Sequence, residues 1–437
     1  MTKRTTRMEQ FPGLKSRKVE ASFSGGAVTS EGGSLLLRGV DKKLGLLRNL
    51  SRALPDNRKV GKVSHELISL LRQRVYGIAL GYEDLNDHDS LRRDLGFQTA
   101  VNRDSELASS ATLCRLENRM DREVAVLTHQ VMVETFLDSF RQAPKELILD
   151  FDATDDRVHG KQEGRFFHGY YNEYCFLPLY VFCGEQLLVS YLRPSNIDPA
   201  KHAWGILSLL VKAIRAKFPR TKIIMRADSG FCRWRMFRWC ERHNVDYCVG
   251  IAKNSRLLEA ARSATEAAEV EFNKTQDKQR LFSEVCYAAE SWDQSRRIIV
   301  KAEHSELGAN PRFVVTNLDA PPGFVYDNIY CARGEMENRI KEQQLGLFAD
   351  RTSCHKWWSN QFRLLLSSLA YILIEGIRRL TLKNTELAKA QASTIRLKLL
   401  KIGAVVTRNT RRIRFALASG YPYQDIFWRV VKRLNTA

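Results

Sequence analysis

The sequence offers few means of cross-linking and none of entering a membrane. Its nine cysteines, scattered from Cys114 to Cys354, include no C-x-x-C pair. That argues against a zinc ribbon or a redox dithiol and leaves small buried thiols in a reducing compartment. Long apolar runs are missing as well. The longest, Leu364–Ile374, is interrupted by two serines and is too short to cross a bilayer. The basic N-terminus, M-T-K-R-T-T-R, lacks the apolar core of a signal peptide. Negative charge is also short. Against 69 Lys and Arg stand 49 Asp and Glu, a formal net charge of +20. Such an excess calls for a polyanion, and with no membrane signal we expect nucleic acid.

What is present is an ordinary globular composition, 44% hydrophobic and 27% charged over 437 residues, enough for two or three domains. Residues 1–145 read as an all-helical, basic, DNA-binding domain. It starts with a polar arm carrying Lys3, Arg4, Arg7, Lys15, Arg17 and Lys18. Val63–Leu80 has the apolar period of a helix, with Leu67, Leu70, Leu71, Val75 and Ile78 on one stripe. Asp84–Leu95 is rich in Asp but lacks the ligand spacing and central Gly of an EF-hand loop, so it reads as caps and loop. Ala108–Arg119 resembles the second helix of a helix-turn-helix, with Arg115 and Arg119 outward toward DNA.

The pattern changes at Glu146. Glu146–Asp156, E-L-I-L-D-F-D-A-T-D-D, is an apolar strand running into four carboxylates. On a strand Asp150 and Asp152 share one face, and Leu147, Leu149 and Phe151 take the other. Such a stretch is either a buried strand with a solvated turn or a metal-binding acid at the centre of a catalytic sheet. Tyr174–Cys183 and Gln186–Leu192 follow as two strands joined by a Gly184-Glu185 turn. Thr221–Phe231, T-K-I-I-M-R-A-D-S-G-F, then repeats the first pattern and ends at Asp228. With the helices between them, residues 146–252 read as an α/β core with a mixed sheet. Residues 253–329 read as an inserted, mainly β subdomain. Residues 330–380 return to helix, and 381–437 read as a basic helical C-terminal region that includes Arg411 and Arg412, further candidates for contacting DNA.

Two strands that each end in an aspartate can share divalent cations, and a third acid usually completes such a site. The polar helix starting at Tyr330 supplies one. At helical spacing Tyr330, Arg333, Glu337, Lys341 and Gln344 fall on one stripe, suited either to metal and phosphate or to solvated salt bridges. Trp234, Trp357 and Trp358 could stack on a flipped base, although buried core packing is the commoner use of tryptophan.

Together D-A-T at Asp152–Thr154, A-D-S-G-F at Ala227–Phe231 and Y-x2-R-x3-E at Tyr330, Arg333 and Glu337 resemble the DDE transposases of bacterial insertion sequences. The resemblance is to the group called insertion sequence thirteen-eighty, in the superfamily with a Tyr-Arg-Glu-Lys signature, and spans roughly residues 20–380. It implies an RNase H-like core with a β-rich insertion. It also implies a metal-binding triad of Asp152, Asp228 and Glu337, with Tyr330 and Arg333 beside it; Asp150, on the strand face of Asp152, is read as a supporting acid that tunes the site without binding metal. The signature lysine is expected at position 344, where this chain has Gln344; Lys341, one turn from Glu337, is the candidate replacement. The implied cofactor is a pair of Mg²⁺ ions, with Mn²⁺ able to substitute. The implied partners are double-stranded DNA, as terminal inverted repeats and target, and a second copy of the chain on that DNA. The implied activity is hydrolysis at the element's ends followed by joining of the 3′-OH to target DNA, in the bacterial cytoplasm at the nucleoid. A nuclease on the same core without strand transfer, and a DNA-binding derivative without catalysis, are the alternatives.

Overall fold

The computed structural model describes residues 7–436, which leaves Lys3 and Arg4 of the basic arm outside the described residues. The chain divides into two compact units.

The larger unit, residues 120–345 and 349–368, is built on one mixed sheet. Its strand order is Gln279–Tyr287, Arg296–Ser305, Arg312–Thr316, Asp246–Ile251, Lys222–Ala227, Glu146–Ala153, Leu179–Cys183 and Gln186–Tyr191, and Gly308–Ala309 pairs at the side. The three central strands, at 146, 222 and 246, run parallel, as strands joined through helical crossovers do. Their alternation decides what each face can do. One face presents Leu147, Leu149, Phe151, Ile223, Met225 and Ala227 to a core that includes residues of the helices Arg122–Asp138, Ala203–Lys217 and Trp234–Arg242. The opposite face carries Ile148, Asp150 and Asp152 beside Ile224, Arg226 and Asp228.

The strands of residues 253–329, expected as an inserted, mainly β subdomain, extend the core sheet, because Arg312–Thr316 pairs directly with Asp246–Ile251. One expectation changes here. Tyr174–Cys183 is not one strand. It breaks at Pro178, which has no N–H to give a ladder. Glu173–Phe176 instead joins a three-stranded sheet with Asp156–Arg157 and Phe166–His168, and Leu179–Cys183 stays in the large sheet.

The smaller unit, residues 1–119, 346–348 and 369–437, packs the helices Leu35–Leu44, Leu46–Ala53, Leu67–Ala79, Leu95–Val101 and Ser110–Asn118 around buried leucines, with Arg74 and Glu117 paired at 2.8 Å in its interior. It is not all helical. Met8–Leu14 and Arg17–Ser22 form an antiparallel hairpin, and Val28–Thr29 pairs with Ala404–Arg408. The C-terminal region departs from helix in the same way. Ala404–Arg408 and Ile413–Leu417 are a hairpin, followed by the helix Gln424–Asn435. Val405, Val406 and Thr407 are β-branched, which favours the pleated form. Among the described residues no helix is long and apolar enough to cross a membrane.

Candidate active site

Two strands position the first two acids. Lys222–Ala227 and Glu146–Ala153 pair in parallel up to the couple Ala227 and Phe151. The next residues are Asp228, just past the end of its strand, and Asp152, still paired on its other side with Tyr180, so alternation puts the two aspartates on the same face of neighbouring strands. Asp228 also caps the short turn Ser229–Phe231, accepting the Gly230 N–H at 2.9 Å. Asp152 accepts its neighbour Ala153 N–H at 2.9 Å. Burial pushes the Asp152 carboxyl up to about 7, the Arg333 guanidinium opposes the shift, and the charges of Asp228 and Glu337 add to it. Both other predicted acids are therefore close enough to act electrostatically on Asp152.

Glu337 stands on the helix Gly334–Leu347, one turn beyond Arg333. Arg333 joins it to the sheet, donating from Nη1 to Asp152 Oδ2 at 3.2 Å and from Nη2 to Glu337 Oε1 at 2.7 Å. A single guanidinium thus lies between two of the three acids. Among the described residues, no group of three acids, histidines or cysteines is placed to hold a metal ion as the side chains stand. The donor set itself suits a hard cation, being all carboxylate oxygen, with Asp152 costly to ionise unless a positive charge is near.

The segment before this helix is not a regular α-helix. Val325–Tyr330 is a π-helical turn and Cys331–Arg333 a 3₁₀ turn; π turns occur often at functional sites. Two features hold it. Arg226, directly opposite Asp150 in the parallel register, makes a bidentate ion pair with it, the Nη2–Oδ2 arm at 2.7 Å, and gives its remaining nitrogen to the Ile329 carbonyl at 2.6 Å. Gly250 supplies the second. A Cβ there would lie 2.5 Å from the Tyr330 hydroxyl and 3.1 Å from Ser229 N. Glycine thus lets the phenol come down beside the Asp228 turn, where burial and the Asp228 charge raise its proton affinity although Arg333 opposes them.

The remaining predicted residues separate into three groups. Asp150 lies buried under the acids in the Arg226 pair, and burial raises its carboxyl in spite of that partner. Lys341 is exposed on the Glu337 helix. Gln344, one turn further along the same helix, donates to the Asp155 carbonyl and to Asp156 Oδ1, both at 3.1 Å. Asp156 is fully buried, and burial pushes it up to about 8. The position of the signature lysine is thus filled by a neutral amide against a carboxyl that favours its neutral form; Glu337, Lys341 and Gln344 keep helical spacing on one α-helix, and Tyr330 and Arg333 lie on the irregular turns before it. Arg115, Arg119, Arg411 and Arg412 all belong to the smaller unit. Arg115 is exposed and donates to Thr112; Arg119, expected to point outward, is half-buried and donates to Asp56 at 3.1 Å. Arg411 and Arg412 are exposed at the turn of the C-terminal hairpin, where their backbone N–H groups donate to Asn409 Oδ1. The three tryptophans are half-buried, and Trp357 packs edge-on against Phe176 at 5.4 Å.

Sequence reading missed Arg226 and Gly250. Arg226 had a visible signal, since it precedes Asp228 by the two-residue step that separates Asp150 from Asp152. Gly250 had none.

Compared with known families, residues 11–437 match the family described as transposase DDE domain group 1. Compared with curated proteins, the chain matches none. Among solved structures, a piggyBac transposase synaptic complex with hairpin DNA, determined by cryo-electron microscopy, aligns with 92% of this chain and 81% of its own. The TM-score is 0.44 and the identity 9%.

Proposed function

The chain belongs to the transposase DDE domain group 1 family, and on that premise we propose that it cuts the ends of a bacterial insertion sequence and joins their 3′-OH groups to target DNA. The observation that supports the reading is the strand register that ends at Phe151 and Ala227, one residue before Asp152 and Asp228, with Glu337 joined to Asp152 through Arg333. Asp152, Asp228 and Glu337 would hold a pair of Mg²⁺ ions, which supply charge neutralisation and an activated oxygen nucleophile at the phosphodiester. The protein's own groups do the rest. Arg333, released from the acids, pairs with a phosphate oxygen of the scissile strand, a geometry to which its planar fork is suited. Tyr330, half-buried beside the Asp228 turn, offers its hydroxyl to the same phosphate. Lys341, exposed one turn past Glu337, meets the backbone of the bound end. The smaller unit, with Arg115, Arg411 and Arg412 exposed, contributes affinity through phosphate contacts.

The test is strand transfer of a labelled 3′-OH end into plasmid DNA with Mg²⁺. Asp152→Ala, Asp228→Ala and Glu337→Ala should each abolish transfer while duplex binding persists. Transfer by any of the three at the wild-type rate would remove that residue from the site. Cleavage without joining by the wild type would make the chain a nuclease.

A further inference from the structure

The small sheet that branches off just after Asp152 bears a surface not used above. Three aromatic side chains lie open on it within eight residues: Phe167 is 52% exposed, Tyr170 85% and Tyr174 47%. Phe167 and Tyr174 are direct cross-strand partners with rings 5.6 Å apart, and the Arg165 guanidinium covers the Tyr174 ring at 4.4 Å. Exposed aromatics usually fold inward to escape water. These are prevented by how firmly their backbone is held. Ser195 Oγ donates to the Phe166 carbonyl at 2.9 Å, Glu163 N–H donates to the His355 carbonyl at 2.9 Å, and the Glu163 carboxylate accepts the Trp357 N–H at 3.0 Å. Gly164, at a φ of +80°, lies so close to the Trp357 ring that a Cβ would be 2.5 Å from it.

Charge indicates what covers the surface. Both nearby glutamates are engaged, Glu163 by the Trp357 backbone and Glu173 by Arg157 at 2.8 Å. Among the described residues, Arg165, over the Tyr174 ring, and the exposed Lys161 four residues before it are the cations next to these rings that no carboxylate is shown to pair. Position limits the occupant further. The sheet's first strand starts four residues after Asp152, and the Tyr171 phenol at its hairpin turn is close enough to feel the charges of Asp155 and Asp152.

We propose that the sheet of Asp156–Arg157, Phe166–His168 and Glu173–Phe176 is a stacking platform for unpaired DNA bases next to the cut phosphodiester. The assignment rests on the DNA-cutting reading above. Rings held on a fixed backbone stack on any base, and interleaved cations take the phosphates. Phe167 and Tyr174 form the centre of the platform and Tyr170 its tip.

The test uses the full chain with two DNA probes, a blunt duplex and the same duplex carrying a single-stranded overhang labelled with 2-aminopurine. Wild type should prefer the overhang and quench its fluorescence. Phe167→Ala with Tyr174→Ala should weaken overhang binding by about tenfold or more, the loss expected for one or two stacked bases. Blunt-duplex affinity, unchanged, shows that the variant is folded. Phe167→Leu, apolar but without a ring, should lose quenching too. Equal affinity of wild type for the two probes, or full quenching by the variants, overturns the platform. So would variants that alter self-association without DNA, since the surface would then belong to a second copy. Failure of wild type to bind either probe would instead sink the DNA-cutting reading and the platform with it.

Discussion

At the scale of single residues, Arg333 joins two of the three proposed metal ligands and, under the proposed function, competes with a cation for them. Its guanidinium satisfies Asp152 and Glu337 at once, and removing one partner of a charge pair leaves the others uncompensated. Arg333→Gln should therefore bind Mn²⁺ about tenfold more tightly than wild type without DNA, near 1.4 kcal/mol, as measured by calorimetric titration. The same variant should lose strand cleavage, because the phosphate contact proposed for Arg333 would be gone. Unchanged or weaker Mn²⁺ binding would show that the guanidinium does not compete for these carboxylates. The local part of this arrangement was legible beforehand. An apolar run ending in Asp152, another ending in Asp228 and the Tyr330, Arg333 and Glu337 spacing are all short-range patterns. Which nitrogen meets which carboxylate depends on strand register and on the irregular turn before Gly334, and neither is encoded within a window of a few residues.

At the scale of elements, the mixed sheet followed from its alternating strands, but hairpins at both ends of the chain were read as arm or helix. Their sequences are too short and too charged for a period to emerge, as in Val405–Arg408, where β-branched residues run straight into arginines. Pro178 was a readable break that the apolar pattern around it masked. The Glu337 helix shows a further dependence on its surroundings. Gln344 reaches from it to Asp156, whose carboxyl burial raises to about 8, far above the roughly 3.9 of an unfolded chain. The folded protein therefore holds a proton there that the unfolded chain releases, so this group makes stability fall as pH rises from about 4 to about 8, by up to roughly 1.4 kcal/mol per pH unit. Asp156→Asn keeps the size and the contact but not the titration. Urea unfolding at pH 5, 6, 7 and 8 should show the variant gaining on wild type at each step; a constant difference would mean that Asp156 is ionised in the folded chain.

For the whole molecule, the excess of positive charge makes affinity for DNA a question of how many phosphates are neutralised, and salt measures that number. Each phosphate contact on duplex DNA contributes about 0.9 to the slope of log affinity against log salt. Arg411 and Arg412 project from the C-terminal hairpin turn with their backbone N–H groups fixed by Asn409, so their side chains are free to meet a backbone while the turn keeps its shape. Arg119, tied to Asp56, is already half-neutralised within the fold. Replacing Arg411 and Arg412 together by alanine should lower the slope by about 1.8, whereas Arg119→Ala should change it by well under one unit and act on stability instead. Fluorescence anisotropy over a salt series, with thermal melting in parallel, separates the two. An unchanged slope for the hairpin variant would move the phosphate contacts elsewhere on this basic chain. A full-unit loss for Arg119→Ala would mean that DNA draws Arg119 away from Asp56.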